Sequence, residues 1–179
     1  MRTFIALELP PEAKGALGRS AAAAQKRWTA GKPTSQDNYH LTLVFLGEVA
    51  PERVSEVMAA METCRAGRLT LTVGRFGLFR QRAGDVLWRE VRGGNALFAL
   101  QRRLSRELSD RGFSLEKREY APHITLARKV RFPEGFPPEA LAAGTEDIVF
   151  TPEGMTLLRS DPGPGGPVYT PLGIVSFES

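Results

Sequence analysis

The sequence predicts an α+β fold made of two similar lobes. Strand-like runs rich in β-branched and aromatic residues are followed by helical runs whose apolar residues recur every three or four positions. The order strand, helix, loop, strand occurs twice along the 179 residues. The two histidines of the chain, His40 and His123, lie 83 residues apart at the same place in that order. We therefore interpret the chain as an internal duplication with an approximate two-fold axis.

The first half begins with a predicted strand over residues 3–9 and a predicted helix from Pro11. The apolar positions that mark one face of this helix are Ala13, Leu17, Ala21, Ala24 and Trp28. Residues 29–38 are polar and rich in turn formers, so we expect a loop. The run "YHLTLVFLG" over residues 39–47 predicts a strand, and Pro51 suits the first turn of a second helix.

The second half repeats this organisation. The runs "RLTLTVGRFGLF" and "DVLWREV" predict strands, and a helix with a leucine stripe follows them. Its stripe consists of Leu97, Leu100, Leu104 and Leu108, and Gly112 suits the position beyond its end. The run "REYAPHITLARKV" predicts another strand and contains the motif "PHITLAR" over residues 122–128. Glycine and proline turns divide the C-terminal region into two or three further predicted strands.

Composition excludes several classes of protein. The net charge is +4 and 19 of the 24 basic residues are arginine, which is typical of a phosphate-rich partner or of an arginine-rich proteome. Cys64 is the only cysteine, so neither an intramolecular disulfide nor a thiolate metal cluster is expected, and its spacing predicts a small buried residue. No run approaches the ~20 apolar residues of a membrane span, and the N-terminal apolar run is too short for a signal peptide. We expect a cytoplasmic monomer.

Each histidine is followed two residues later by a threonine. Alternate residues of a strand point to the same side, so His40 shares a face with Thr42, and His123 shares one with Thr125. Two facing lobes would bring two imidazoles and two hydroxyls together. In-line displacement at phosphorus needs a base on one side and an acid on the other, which two histidines supply near neutral pH. Arg128 is the candidate that stabilises the developing negative charge.

The same residues have other possible uses. One His-x-Thr pattern in a strand is usually structural, but two copies at matched positions favour a functional role. A metal site is disfavoured because no Asp or Glu accompanies either histidine at ligand spacing. No phosphate-binding loop of the GxxxxGK[ST] type occurs, which disfavours hydrolysis of nucleoside triphosphates. A module that binds an RNA terminal phosphate without catalysis stays as the alternative from a different class.

The motifs resemble those of the two-histidine phosphoesterase superfamily, and in particular the bacterial and archaeal RNA 2′,3′-cyclic phosphodiesterases, also called 2′-5′ RNA ligases. "RTFIALELP" is similar to the opening strand of that family, and "NYHLTLVFLGEV" is similar to its first motif. "VLWREV", "PHITLAR" and "GPVYTPL" are similar to later segments in the same order. The resemblance extends over essentially the whole chain.

This resemblance implies one bilobal α+β domain over residues 1–179, with antiparallel sheets lining a central cleft and helices outside. It implies hydrolysis of a terminal 2′,3′-cyclic phosphate of RNA to a 2′-phosphomonoester without a metal or cofactor, on tRNA halves or oligonucleotides. Ligation to a 2′-5′ bond would be a minor reverse reaction. By motif position, His40 would be the proton donor and His123 the proton acceptor, with Thr42, Thr125 and Arg128 binding substrate. The approximate symmetry leaves the acid and base assignment open to exchange.

Two features depart from the family pattern. Tyr39 stands where a small aliphatic residue is more usual, and it either packs in the core or stacks on a base. Arg80 and Arg82 lie in "FGLFRQRAGD" and either bind RNA backbone or are solvated.

Overall fold

Two antiparallel sheets form the framework of the molecule in a computed structural model that describes residues 1–142 and 145–179. In chain order the strands are β1 (Arg2–Glu8), β2 (Ala30–Pro33), β3 (His40–Glu48), β4 (Leu71–Phe79), β5 (Asp85–Arg92), β6 (His123–Arg131), β7 (Ile148–Phe150), β8 (Gly154–Asp161) and β9 (Val168–Ser176). The α-helices are α1 (Pro11–Gln25), α2 (Val54–Thr63) and α3 (Gly94–Asp110). Short 3₁₀ turns cover Gln36–Asn38, Pro51–Arg53 and Pro138–Ala142.

The two sheets repeat one strand arrangement. Sheet A has the order β3-β1-β8-β9, and sheet B has the order β2-β6-β5-β4-β7. Strand β3, which begins at His40, thus corresponds to β6, and its neighbour β1 corresponds to β5. This correspondence confirms the predicted α+β fold with a duplicated unit and antiparallel sheets.

The helices cross over between the sheets. Helix α1 follows β1 of sheet A in the chain but packs beside β7 of sheet B, where Ser20 receives a hydrogen bond from Arg89 of β5. Helix α3 follows β5 of sheet B but packs beside β3 of sheet A. Each lobe is therefore completed by a helix from the other half of the chain.

One large apolar core lies behind the sheets and is shared by both lobes. The predicted leucine stripe of α3 is buried, as are Leu17 of α1 and Met61 of α2. Cys64 is 3% exposed, which confirms its predicted role as a small core residue, and burial raises the pKa of its thiol. Among the described residues, no helix combines the length and apolar character needed to cross a membrane.

Three sequence predictions differ in detail from the structure. Residues 29–38, expected as a loop, contain β2, which pairs with β6 although it lacks an apolar alternation of its own. Helix α1 ends at Gln25, so Trp28 packs against the core from beyond its end. The strand expected to include "REYAP" begins only at His123, because Pro122 has no N–H to contribute to a ladder.

Candidate active site

The two His-x-Thr motifs open two strands that approach each other although they belong to different sheets. His40 is the first residue of β3 and His123 is the first residue of β6, and these strands lie side by side. Each motif therefore begins one of two strands that contact each other across the boundary between the sheets. We call the space lined by these two histidines, Thr42 and Thr125 the cleft.

The two imidazoles are held by the same local bond. Nδ1 of His40 lies 2.7 Å from the carbonyl oxygen of Asn38, and Nδ1 of His123 lies 2.6 Å from that of Ala121. A carbonyl oxygen only accepts, so Nδ1–H donates in both cases. Nε2 is therefore the atom of each ring that gains or loses a proton.

A β-bulge follows each threonine at the same position. Between β1 and β3 the pairing passes from Thr42 to Val44 and skips Leu43. Between β5 and β6 it passes from Thr125 to Ala127 and skips Leu126 in the same way. The strand alternation changes phase at each bulge, so two consecutive residues of each strand are buried.

The phase change decides which residues join the cleft face. In β6 it brings Arg128 to the face of His123 and Thr125, whereas uninterrupted alternation would turn it away. In β3 the equivalent position is Phe45, which is 52% exposed and contacts Phe4. The two lobes thus offer an arginine on one side and an aromatic ring on the other.

Hydrogen bonding differs between the two Nε2 atoms. Nε2 of His40 lies 3.0 Å from Oγ1 of Thr42. In the part of the chain that the structure describes, no protein group hydrogen-bonds Nε2 of His123, so this atom is available to a water molecule.

The electrostatic surroundings of the histidines also differ. Burial lowers the pKa of His40; its bond to Asn38 and the carboxylate of Glu8, its partner on β1, oppose that shift, and the smaller influences of His123 and Lys14 lower the pKa further. Burial also lowers the pKa of His123; its bond to Ala121 opposes that shift, and the nearby guanidinium of Arg128 lowers the pKa further. A negative group therefore favours the protonated form of His40, and a positive group favours the neutral form of His123.

Aromatic rings pack around each imidazole. His40 lies 4.9 Å from the ring of Phe4 and 5.3 Å from that of Tyr169, measured between centroids. His123 lies 4.9 Å from Phe79 and 5.9 Å from Trp88. These rings desolvate the imidazoles and restrict their rotation.

Two further side chains hold the first motif in place. Asn38, whose carbonyl binds His40, also donates from Nδ2 to the carbonyl oxygen of Pro167 at 2.8 Å, just before β9. The hydroxyl of Tyr120, just before β6, donates to the carbonyl oxygen of Thr42 at 2.8 Å. The second contact links the two motif strands directly.

The departures from the family pattern have structural outcomes. Tyr39 is 4% exposed and belongs to the core, so it packs instead of presenting its ring to a base. Arg80 makes an ion pair of 2.7 Å with Asp85. Arg82 is exposed in the connection between β4 and β5, and its predicted RNA contact stays a prediction.

Sequence reasoning missed Glu8, Phe45 and Trp88 as neighbours of the motifs. Glu8 and Trp88 are found only through strand pairing, with His40 and Thr125 respectively. Phe45 had a weak signal, because two adjacent apolar residues follow the threonine in both motifs.

A metal site would need several ligating side chains close together. Within residues 1–142 and 145–179, no three side chains of the His, Cys, Asp or Glu types come together as a metal-binding group. Metal-independent chemistry stays a prediction.

Comparison with known proteins gives a family match. A family model described as LigT-like phosphoesterase matches residues 7–88 and 91–169. The RNA 2′,3′-cyclic phosphodiesterase of Thermotoga maritima is 35% identical, over 99% of this chain and 96% of the relative. The protein of the same name from Escherichia coli is 30% identical, over 96% of this chain and 93% of the relative.

Solved structures show the same fold. The crystal structure of Escherichia coli LigT complexed with 3′-AMP has a TM-score of 0.81 and 27% identity, and covers 99% of this chain and 98% of that chain. A crystal structure of a Thermus thermophilus protein has a TM-score of 0.79 and 26% identity over the same shares of both chains.

Proposed function

Because the chain belongs to the LigT-like phosphoesterase family, we propose that it is an RNA 2′,3′-cyclic phosphodiesterase. Water attacks the phosphorus of the terminal cyclic phosphate in line with the 3′-oxygen. The bond from water oxygen to phosphorus forms while the bond from phosphorus to the 3′-oxygen breaks. The product carries a 2′-phosphomonoester and a free 3′-hydroxyl.

One observation supports this function above the others: two imidazoles, each held by the same kind of Nδ1 bond, begin two strands that contact each other. In-line displacement requires two proton-transfer groups on opposite sides of phosphorus. A binding module without catalysis would need only positive charge and hydroxyl groups.

We assign His123 as the base and His40 as the acid. The Nε2 atom of His123 is without a protein partner among the described residues, and Arg128 favours its neutral form, which is the form that takes a proton from water. Glu8 favours the protonated form of His40, which is the form that gives a proton to the 3′-oxygen. The negative charge of a bound phosphodiester would favour protonation of His40 further.

Thr42, Thr125 and Arg128 are proposed to bind the non-bridging oxygens of the phosphate. The two threonines share the strand faces of the two histidines, and the bulge at Leu126 brings Arg128 to the same face. Their donors would stabilise charge as it builds on phosphorus.

Further properties complete the proposal. The substrates are RNAs with 2′,3′-cyclic phosphate ends, such as tRNA halves or oligonucleotides, and 2′-5′ ligation is a minor reverse reaction. The crossing of α1 and α3 supports one bilobal domain over residues 1–179. A monomer in the cytoplasm is proposed from the sequence.

The test is incubation with a short RNA ending in a 2′,3′-cyclic phosphate, in EDTA, with the product assigned by phosphorus NMR. We expect a 2′-phosphate, and losses of ~10²–10⁴-fold in kcat for His40→Ala and for His123→Ala. Arg128→Ala should also lose activity, whereas Arg65→Ala, an exposed arginine paired with Glu62, is the matched control. Retained binding to the RNA end without turnover would support the non-catalytic module, and loss of activity in EDTA would contradict the mechanism.

A substrate whose 3′-oxygen is replaced by sulfur shows which histidine is the acid and which is the base. A thiol ionises near pH ~8.5, so a thiolate leaves without being protonated. His40→Ala should then regain most of the lost rate on the sulfur substrate, while His123→Ala should stay slow on both substrates. Recovery of the His123 variant instead would show that the two roles are exchanged.

A further inference from the structure

An apolar hollow opens beside His123. Its walls include Phe79, Trp88, Phe98, Pro122 and His123 itself. The volume is about 450 Å³, within the range of ~300–1,000 Å³ that is usual for small-molecule sites. Because His123 is part of its wall, a molecule in the hollow lies next to the proposed base.

Two of the walls are aromatic rings that the fold leaves accessible. Phe79 is 36% exposed and Phe98 is 38% exposed. Phe79 stands edge-on to His123, and Phe98 stands edge-on to Tyr120, so both rings are held by neighbours. Exposed, fixed aromatic rings are the surfaces on which nucleobases stack.

The carboxylate in the hollow is already neutralised. Glu90, the strand partner of His123, receives hydrogen bonds or ion pairs from Arg92 at 2.8 Å and Arg75 at 3.3 Å. The hollow therefore carries little free negative charge against a nucleotide, and Glu90 is occupied as a charge partner.

The position of the hollow decides which part of the reaction it serves. In an in-line reaction the 3′-oxygen and its ribose lie on the side of the acid, His40, and the attacking oxygen lies on the side of the base, His123. The hollow is thus on the side of the attacking group. A ligand there is attached to the nucleophile, and not to the leaving oxygen.

We propose that this hollow is a binding site for the nucleoside of an acceptor alcohol, whose 5′-hydroxyl takes the place of water; this inference rests on the proposed function. The acceptor base stacks on Phe98 and Phe79, which brings its 5′-oxygen to Nε2 of His123. The 5′-oxygen bonds to phosphorus, the bond to the 3′-oxygen breaks, His123 takes the 5′-hydroxyl proton, and His40 protonates the 3′-oxygen. The product is a 2′-5′ phosphodiester and no other reactant is needed.

The experiment measures partition between water and alcohol in one reaction. An RNA with a 2′,3′-cyclic phosphate end is mixed with adenosine, or with methyl β-D-ribofuranoside, which has the same 5′-hydroxyl but no base. The ratio of 2′-5′ transfer product to 2′-phosphate product is measured for each alcohol. The ratio is independent of how much enzyme is folded.

We expect adenosine to give a transfer ratio roughly fivefold to tenfold above that of the riboside, at the low end of what base stacking on an aromatic ring provides. Phe98→Leu keeps the apolar volume but removes the ring, so it should bring the adenosine ratio close to that of the riboside. The riboside ratio should change little in this variant.

Three outcomes would overturn the inference. Equal ratios for both alcohols would show that the hollow does not bind the base. An equal fall of both ratios in Phe98→Leu would show that the ring only positions His123. A raised KM for the RNA in Phe98→Leu, with an unchanged ratio of transfer product to hydrolysis product, would show that the hollow holds the base of the RNA substrate itself. Absence of all hydrolysis by the wild-type protein would instead refute the proposed function.

Discussion

Gly77 of β4 lies opposite Trp88 of β5, and replacing it tests how tightly the wall beside His123 is packed. A Cβ atom at position 77 would overlap three atoms of the Trp88 indole ring, all closer than 3.0 Å. Restoring an ordinary separation of ~3.5–4.0 Å requires the ring to move by about 1.5 Å. Trp88 also contacts Phe79 and His123, so the displacement is transmitted to the site.

The magnitude follows from two opposing effects of Gly77→Ala. Overpacking costs about 1–3 kcal/mol, and removing a glycine from a strand returns about 0.5–1 kcal/mol. The net loss, about 1 kcal/mol at the middle of these ranges and at most about 2.5 kcal/mol, lowers Tm by about 2–4 °C for each kcal/mol in a domain of this size.

Thermal unfolding and kcat are measured together with a matched variant, Gly67→Ala. A Cβ at position 67 has no atom within 4 Å, so this variant should keep Tm and kcat close to those of the parent. Gly77→Ala should lower both Tm and kcat. Equal behaviour of the two variants would refute the reasoning, because it would show that Trp88 moves freely and does not constrain His123.

Three further results are expected. Burial lowers the pKa of both histidines below 6.5, and the active form needs His123 neutral and His40 protonated. The value of kcat/KM should therefore peak below pH 6.5. A maximum above pH 7.5 would contradict the assignment. Glu8→Gln removes a charge that raises the pKa of His40, so the alkaline limb of the pH profile should move to lower pH while the acidic limb stays. Movement of the acidic limb alone would contradict the assignment of His40 as the acid. Tyr120→Phe removes the hydrogen bond to the Thr42 carbonyl, which should cost about 1 kcal/mol and lower Tm by about 2–4 °C; an unchanged Tm would show that this bond adds no stability.

The sequence was sufficient to predict the paired motifs and most of the elements. Strand periodicity placed each histidine with its threonine on one face, because side-chain direction in a strand depends only on local geometry. The leucine stripe of α3 predicted a buried helical face for the same reason. The duplication was visible because both motifs recur in one local order.

What the sequence did not predict depends on long-range pairing. The apolar face of a helix does not specify which sheet it packs against. No residue pattern in α1 or α3 therefore indicated that each helix packs on the sheet of the other lobe. The bulges at Leu43 and Leu126 are defined only against the partner strand. The pairing also aligns Ala6 with Trp88, an offset one residue shorter than that between the histidines, and this difference too is defined only by the partner strands.

The place of β1 in the middle of sheet A has a consequence for synthesis of the protein. The strand is made first, but one of its two partners, β8, lies near the other end of the chain. At ~5–20 residues per second, the ribosome needs about 8–30 s to produce the intervening chain. During that time β1 has one unpaired edge and His40 lacks the ring of Tyr169 beside it. A chain interrupted before β8 therefore contains both histidines but lacks one strand partner of β1 and the aromatic ring that packs on His40.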